Sequence, residues 1–200
     1  MWNAMYRESD RRWSGRPNLR LVEVAQHLPA GRALDLGCGE GGDAKWLAAN
    51  GWAVVAVDIS DEALRRSAED VGELSAGIDF QHHDLTQTFP DGEFDLVSAQ
   101  FLHSPTPWDR GRLLRRAAAA VAPGGVLLIV DHGGGPPWES QMKDHHHHVF
   151  QTPQEVIDDL ALDHTQWEQL RADSVDREMT GPQGQVAVIP DNVIVLRRRS

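Results

Sequence analysis

The sequence has a single cysteine, Cys38, among its 200 residues, so no disulfide can form within the chain, which fits a reducing compartment. It also lacks a basic surplus, because 30 acidic residues against 19 Lys and Arg give a net charge of −11. An acidic chain is a poor electrostatic match for nucleic acid or an anionic membrane, and we expect neither as a partner. No apolar run approaches the ~20 residues that span a bilayer. Residues 7–12 are too charged for the apolar core of a signal peptide, so we expect a cytoplasmic protein.

A glycine cluster lies between two short apolar runs, Ala33–Leu36 and Ala53–Val57. The cluster, residues 37–42, is followed by a helix-compatible segment, and the second run stops at Asp58. Such glycines permit positive φ and a close approach between backbone and ligand. The amides at the start of the next helix point back at the loop, and an acid at the end of the second strand suits ribose hydroxyls. The unit predicts a site for a nucleoside-bearing cofactor.

The glycines leave two classes of protein open, because they also satisfy the dinucleotide pattern G-x-G-x-x-G, and Asp58 suits both classes. Asp35 favours one of them. A carboxylate two residues before the first glycine would repel a pyrophosphate but would suit an ammonium or sulfonium group. A NAD-dependent oxidoreductase remains the alternative, although the chain is short for a second nucleotide half or a separate substrate domain.

Strands and helices alternate along the chain. The predicted strands are Ala33–Leu36, Ala53–Val57, Ile78–His82, Phe94–Ala99, Val126–Val130, Trp167–Met179 and Asn192–Leu196, with Gly181–Pro190 as the last connection. The predicted helices are Leu19–Leu28, residues 42–50, a helix capped by Ser60, Asp109–Val121 and a helix opened by Thr152-Pro153. This pattern predicts an α/β fold: a Rossmann-like, doubly wound, seven-stranded and mostly parallel sheet whose last strand is antiparallel. We expect one domain over residues 1–200, with a cap segment and helix (1–30), a cofactor-binding core (31–132) and a substrate side (133–200).

Five stretches within residues 31–132 resemble the class I S-adenosylmethionine-dependent methyltransferases. Ala33–Gly42 resembles motif I, Val54–Ser60 motif II, His83–Leu85 the acidic position after strand three, Phe94–Gln100 motif IV, and Ala122–Ile129 the turn into strand five. Outside this core, Trp13–Asn18 resembles the amino-terminal segment of the tellurite-resistance and thiopurine methyltransferase branch.

The resemblance implies a methyltransferase that uses S-adenosylmethionine. It implies that Asp58 accepts hydrogen bonds from the ribose hydroxyls and that Asp84 accepts one from the adenine amino group. The candidate cofactor-binding residues are Trp13, Asp35, Gly37, Cys38, Gly39, Asp58, Ile59, Asp84, Leu85, Ala99 and Gln100. We assign Cys38 no redox or nucleophilic role, and we expect Trp52, beside strand two, to be structural.

Methyl transfer from a sulfonium requires alignment of the reacting atoms and exclusion of water more than covalent help. His103 and His132 follow strands four and five, where an acceptor would approach. Either is a candidate general base, because an ordinary imidazole titrates near neutrality; the alternative is a rim histidine that only hydrogen-bonds a loop. An acidic chain without an appended recognition domain favours a small-molecule acceptor. Its nucleophile can be oxygen, nitrogen, sulfur or a heavier chalcogen, and the oligomeric state is left open.

Four consecutive histidines, His145, His146, His147 and His148, are candidate ligands for a divalent transition metal, because imidazole is the commonest side-chain ligand. In an extended segment neighbouring side chains face opposite ways, so at most two would share one ion. The alternative is a solvated or substrate-contacting loop. A metal-binding or metalloid-detoxification protein is therefore the second alternative function.

Overall fold

Parallel strands buried on both faces are made from continuous apolar runs, and this chain has four such strands at the centre of its sheet. The computed structural model describes residues 1–104, 106–138, 150–181 and 183–200. Within these ranges seven strands pair into one sheet in the order β3-β2-β1-β4-β5-β7-β6. The strands are β1 Arg32–Leu36, β2 Ala53–Asp58, β3 Ile78–His82, β4 Phe94–Gln100, β5 Val121–His132, β6 Trp167–Thr180 and β7 Val186–Arg198.

Only β7 runs against the other strands. It pairs antiparallel with both β5 and β6, whereas β1 to β5 pair in parallel. The predicted fold class is confirmed, but the end of the chain was predicted wrongly. Half of the predicted connection Gly181–Pro190 is strand, because β7 begins at Val186 rather than at Asn192. The first residues of β7 alternate between exposed and covered side chains. One face of this part of the strand is exposed, so it lacks the continuous apolar run that predicted the other strands.

Successive side chains of a strand point to opposite faces of the sheet, so the sheet separates the core into two layers. Leu34 and Leu36 of β1 face a layer that includes Leu113 and Leu160, whereas Ala33 faces the opposite layer. The second layer also contains Trp52, which is 3% exposed, so its predicted structural role is confirmed. With both faces of its central strands covered, the sheet leaves its strand ends as the places where a ligand can bind.

The helices cover the two faces. They are α1 Trp2–Arg7, α2 Leu19–Ala25, α3 Gly42–Ala49, α4 Asp61–Asp70, α5 Arg110–Ala119 and α6 Pro153–Leu160, with a 3-10 helix at Gly72–Gly77. The predicted start signals are confirmed: the Ser60 side chain accepts a hydrogen bond from the Ala63 amide, and Thr152 and Glu155 form a reciprocal capping box. Helix α1 was not predicted. Within the described ranges no helix has both the length and the apolar character that a membrane crossing requires.

The capping box at α6 generates a stability prediction. In Thr152→Ala the Glu155 amide loses its 3.3 Å acceptor, Oγ1 of Thr152. We expect a loss of about 1 kcal/mol in the free energy of unfolding. That corresponds to a fall of ~2–4 °C in Tm for a chain of this size. Thermal unfolding followed by circular dichroism measures it, with Gln154→Ala on the same exposed helix as the control. Equal shifts for the two variants would contradict the prediction.

Candidate functional site

The carboxyl ends of the central parallel strands open into a cleft of about 1280 Å³. Ligand pockets usually measure ~300–1,000 Å³, so this cleft has room for two ligands. The predicted site residues that line it are Trp13, Asp35, Gly37, Cys38, Gly39, Asp58, Ile59, Asp84, Leu85, Gln100, His103 and His132. Ala99 does not line it, because its side chain is fully buried in the core. We call the side near the glycine loop the cofactor half and the side near the two histidines the acceptor half.

The glycine loop of residues 37–42 is fixed against the end of β2. The amides of Gly37 and Cys38 both donate to the Val57 carbonyl, at 2.8 and 2.9 Å. Gly39 has a φ of +54°, which disfavours a side chain, and an added Cβ would lie 3.0 Å from the Tyr6 hydroxyl oxygen. The loop therefore exposes backbone, not side chains, to the cleft.

Asp58 holds two elements together. Its Oδ2 accepts a hydrogen bond from the Gly39 amide at 2.9 Å, and its Oδ1 accepts one from the Ser60 amide at 2.8 Å. Burial raises the pKa of Asp58, and the two amides oppose that rise. Each carboxylate oxygen has a second lone pair, so the side chain can still accept from ribose hydroxyls. The sequence predicted the ligand contact but not this structural role.

Asp35 is a buried carboxylate at the floor of the cleft. Its side chain is 2% exposed, and its Oδ2 has no hydrogen-bond partner among the described residues. Burial, and then the charges of Asp43 and Asp58, raise the pKa of Asp35 well above its usual value. Asp43 is itself buried and accepts from the Asn18 amide at 2.6 Å. Three carboxylates so close together favour a positively charged ligand over an anionic one.

The amino-terminal segment, which the sequence predicts to be a cap, lines the cofactor half of the cleft. The Trp13 indole Nε1 donates to the Tyr6 hydroxyl at 3.2 Å, and the Trp13 amide donates to a Glu40 carboxylate oxygen at 2.8 Å. Arg66 of α4 forms an ion pair with Glu40 at 3.0 Å. Glu40 lies in the glycine loop, so the cover and the loop share one buried carboxylate. Trp13 itself stays 55% exposed beside the loop, where it can shield a ligand.

The remaining cofactor candidates form the wall after β3 and β4. Asp84 Oδ1 accepts from the Thr86 amide and hydroxyl at 3.0 and 2.6 Å, which fixes the turn that carries it. Leu85 is buried and Ile59 is 40% exposed, and both give the wall apolar surface. Gln100 donates to Ser98 Oγ, and its amide oxygen is buried without a partner among the described residues. This wall can receive a flat apolar ring with polar edges.

The acceptor half brings the two predicted histidines together. Their ring centroids lie 5.9 Å apart, and the His132 ring stacks on Phe101 at 4.4 Å. His103 Nε2 lies 3.5 Å from Oδ1 of the buried Asp131, which is also paired with Arg110. Phe101 has a φ of +49°, an uncommon conformation for a bulky residue. This kink directs the chain after β4 towards the end of β5, and such strain is concentrated at functional sites.

The two histidines differ in their electrostatic surroundings. Burial, then His103 and Arg177, lower the pKa of His132, so that its ring is neutral at neutral pH. Arg177 extends from β6 and donates to Asp191 of β7 at 2.9 Å. Neither residue was predicted as part of the site. Arg177 lies within the predicted strand Trp167–Met179, but its contact with Asp191 depends on how β6 pairs with β7.

Metal ligation finds no support among the described residues, where no group of three or more His, Cys, Asp or Glu side chains could hold an ion. The predicted ligands His145, His146, His147 and His148 lie outside the described ranges, so the metal hypothesis stays a prediction.

Fold and site together define an α/β protein whose cleft, at the carboxyl edge of the sheet, suits a nucleoside that bears a positive charge. A model of a methyltransferase domain family matches residues 33–125. A sarcosine/dimethylglycine N-methyltransferase from Halorhodospira halochloris is 36% identical over 105 residues, which cover 48% of this chain and only 36% of that relative.

Solved structures extend the likeness beyond the matched core. One, from a study of the conversion of a disulfide bond into a thioacetal group during echinomycin biosynthesis, is 25% identical with a TM-score of 0.75, covering 99% of this chain and 91% of that one. TehB from Haemophilus influenzae has a TM-score of 0.71 at 16% identity, covering 99% and 67% of the two chains, so this likeness is one of fold. The match over residues 33–125 and the shared fold confirm the predicted resemblance to the class I S-adenosylmethionine-dependent methyltransferases. The comparisons do not support the nicotinamide alternative.

The position of Asp58 generates a binding prediction. Asp58→Ala should weaken S-adenosylhomocysteine binding more than tenfold, because charge-assisted hydrogen bonds contribute roughly 1.5–3 kcal/mol each. It should also lower the Tm, because the amides of Gly39 and Ser60 lose their acceptor. Calorimetric titration and thermal unfolding measure the two effects. Asp61→Ala is the matched control, since that carboxylate is 73% exposed at the start of α4. An unchanged dissociation constant for Asp58→Ala would show that the ribose lies elsewhere.

Proposed function

We propose that this protein transfers the methyl group of S-adenosylmethionine to a small-molecule acceptor. The observation that carries the proposal is Asp35: a buried carboxylate whose Oδ2 has no partner in the described part of the chain and which lines the cleft beside the glycine loop. The Ala44 amide hydrogen-bonds the Asp35 carboxyl group, but a buried carboxylate oxygen without a partner is still costly, and a cationic ligand offsets that cost. A pyrophosphate in the same place would increase it.

The residues present fit this cofactor. Asp35, with Asp43 behind it, suits the charge of the ammonium and sulfonium groups, Asp58 suits the ribose hydroxyls, and the wall of Leu85 and Ile59 suits the adenine ring. When bound, the cofactor supplies an electrophilic methyl group on a good leaving group.

The chain's own residues have three tasks in this reaction. The glycine loop and Asp58 bind and orient the nucleoside. Trp13 and Tyr6 cover the cofactor half and help to exclude water. His103 and His132 lie in the acceptor half, where an imidazole can take a proton from the nucleophile.

Two observations support a small molecule as the acceptor. The acceptor half is lined by side chains that include Trp108, Arg110 of α5, His132 of β5 and Arg177 of β6, and this enclosure suits a small molecule. The relative from Halorhodospira halochloris is named for two small amines, sarcosine and dimethylglycine. The net charge of −11 argues in the same direction against nucleic acid.

The proposal is tested by binding and by turnover. We expect calorimetry to show binding of S-adenosylmethionine and S-adenosylhomocysteine but not of NAD. We also expect a screen of small hydroxyl, amine and thiol compounds to yield S-adenosylhomocysteine with at least one of them. Binding of NAD alone would refute the methyltransferase function, and methylation confined to protein or nucleic acid would refute the small-molecule acceptor.

The buried carboxylates also predict a pH dependence. The pKa of Asp35 is raised in the free protein, and a cationic ligand favours the ionised form, so binding expels any proton held there. Affinity for S-adenosylmethionine should therefore be highest at neutral pH and fall as the pH is lowered to about 5. In Asp35→Asn the affinity should be weaker and its pH dependence flatter. Exposed Asp61→Asn serves as the control. A steep fall retained in Asp35→Asn would assign the effect to another group.

A further inference from the structure

The acceptor half contains buried charges that balance one another. Asp131, 4% exposed, is paired with Arg110, and Asp191, 1% exposed, is paired with Arg177. The buried Arg20 lies 3.8 Å from Asp191 and is paired with Glu23, so its charge is matched too. An ammonium substrate would be recognised by an unmatched carboxylate, and a carboxylate substrate by an unmatched guanidinium. Because each buried acid here already has its arginine, the half is suited to an acceptor without net charge.

The lining of the acceptor half also includes apolar and aromatic side chains beside the polar Ser104, Thr106 and Gln151. Phe101, Leu102, Trp108 and Phe150 line this half. Flat aromatic walls favour a flat apolar body, with ring contacts worth ~0.5–1.5 kcal/mol each. An uncharged aromatic compound matches this lining.

One of the two histidines has a buried carboxylate at close range. His103 Nε2 lies 3.5 Å from Asp131 Oδ1, and a negative charge there stabilises the imidazolium form of His103. His132 is stacked on Phe101 and lies near Arg177, which disfavours its protonated form. The charged and titratable groups around the two rings include Arg110 from α5, Asp131 from β5, Arg177 from β6 and Asp191 from β7.

Resting on the proposed function, we infer that the acceptor is an uncharged aromatic hydroxyl compound whose proton is taken by His103, with Asp131 and Arg110 as positioning residues. The oxygen of the hydroxyl group forms the new bond to the methyl carbon as the carbon–sulfur bond breaks, and that bond's electron pair stays on sulfur. The hydroxyl proton passes to the His103 imidazole, beside Asp131, and leaves to solvent after the product has departed. An acceptor that arrives as an anion, such as a thiolate, would not need this arrangement.

The first test needs no turnover. Histidine ring signals of the free protein are titrated by NMR, with the His103 signal assigned from His103→Gln. Asp131→Asn should lower the pKa of His103, because a negative neighbour is lost and Arg110 remains. Arg110→Gln should raise the pKa of His103, because the positive charge of Arg110 no longer offsets the negative charge of Asp131. Shifts in these opposite directions support the inference, and shifts in one direction or none overturn it. A structural disturbance alone would not give opposite signs.

The second test uses two phenols. 4-Methoxyphenol keeps its proton at neutral pH, whereas 4-nitrophenol is largely ionised just above neutrality. His103→Gln should lower the methylation rate of 4-methoxyphenol by about 10²–10⁴-fold, which is the usual contribution of a general base. The rate with 4-nitrophenol should fall by less than tenfold, because the ionised compound has no proton to lose. The His103 side chain is 36% exposed, so this variant should fold. Unchanged S-adenosylhomocysteine affinity and Tm check that it does.

Control variants and outcomes separate this inference from the proposed function. His164→Gln, an exposed histidine outside the cleft, should leave both rates unchanged. Equal losses on both phenols in His103→Gln, or a larger selective loss in His132→Gln, would overturn the assignment of His103. Methylation of a thiol or amine such as benzylamine, with no phenol accepted, would overturn the acceptor class and leave the methyltransferase proposal standing. Failure to bind S-adenosylmethionine would instead refute the proposed function.

Discussion

The carboxylate of Asp58 ends β2, ties the glycine loop to it through the Gly39 amide and fixes the first turn of α4 through the Ser60 amide. This contact sets the shape of the cofactor half, because the loop presents backbone to the cleft only while its amides are held. The same side chain lines the cleft, where the proposed function assigns it the ribose hydroxyls. The desolvation of this carboxylate is offset by amides that would otherwise need other acceptors.

Buried carboxylates dominate the electrostatics of the cofactor half. The apo protein bears an unfavourable group in Asp35, and burial near Asp43 raises the pKa of both acids. A cation bound there relieves that cost, so ligand binding and stability are linked. The amino-terminal cover is held by a further acid, Glu40, through the Trp13 amide and Arg66. Cover, loop and ligand site are therefore parts of one network.

The acceptor half is built differently, from pairs that cancel in charge. The antiparallel β7 makes this possible, since it places Asp191 directly opposite His132 of β5, and β6 then brings Arg177 across to Asp191. The left-handed conformation of Phe101 also contributes, because this kink after β4 brings His103 close to Asp131. The closing hairpin and one strained residue thus decide the chemistry of the acceptor half, while the parallel core decides that of the cofactor half.

The sequence by itself determined the parallel core, the capped helices and the cofactor side of the cleft. Those features depend on local patterns: apolar runs such as Ala53–Val57, glycines beside a strand end, and acids at fixed spacing. Only the tertiary structure decided which of Ala99 and Gln100 faces the cleft, that Tyr6 meets Trp13, and how far β7 extends. It also matched Arg110 with Asp131 and Arg177 with Asp191. Such pairs join residues far apart in sequence, so no local pattern encodes them; they arise when strands and helices pack at one edge of the sheet.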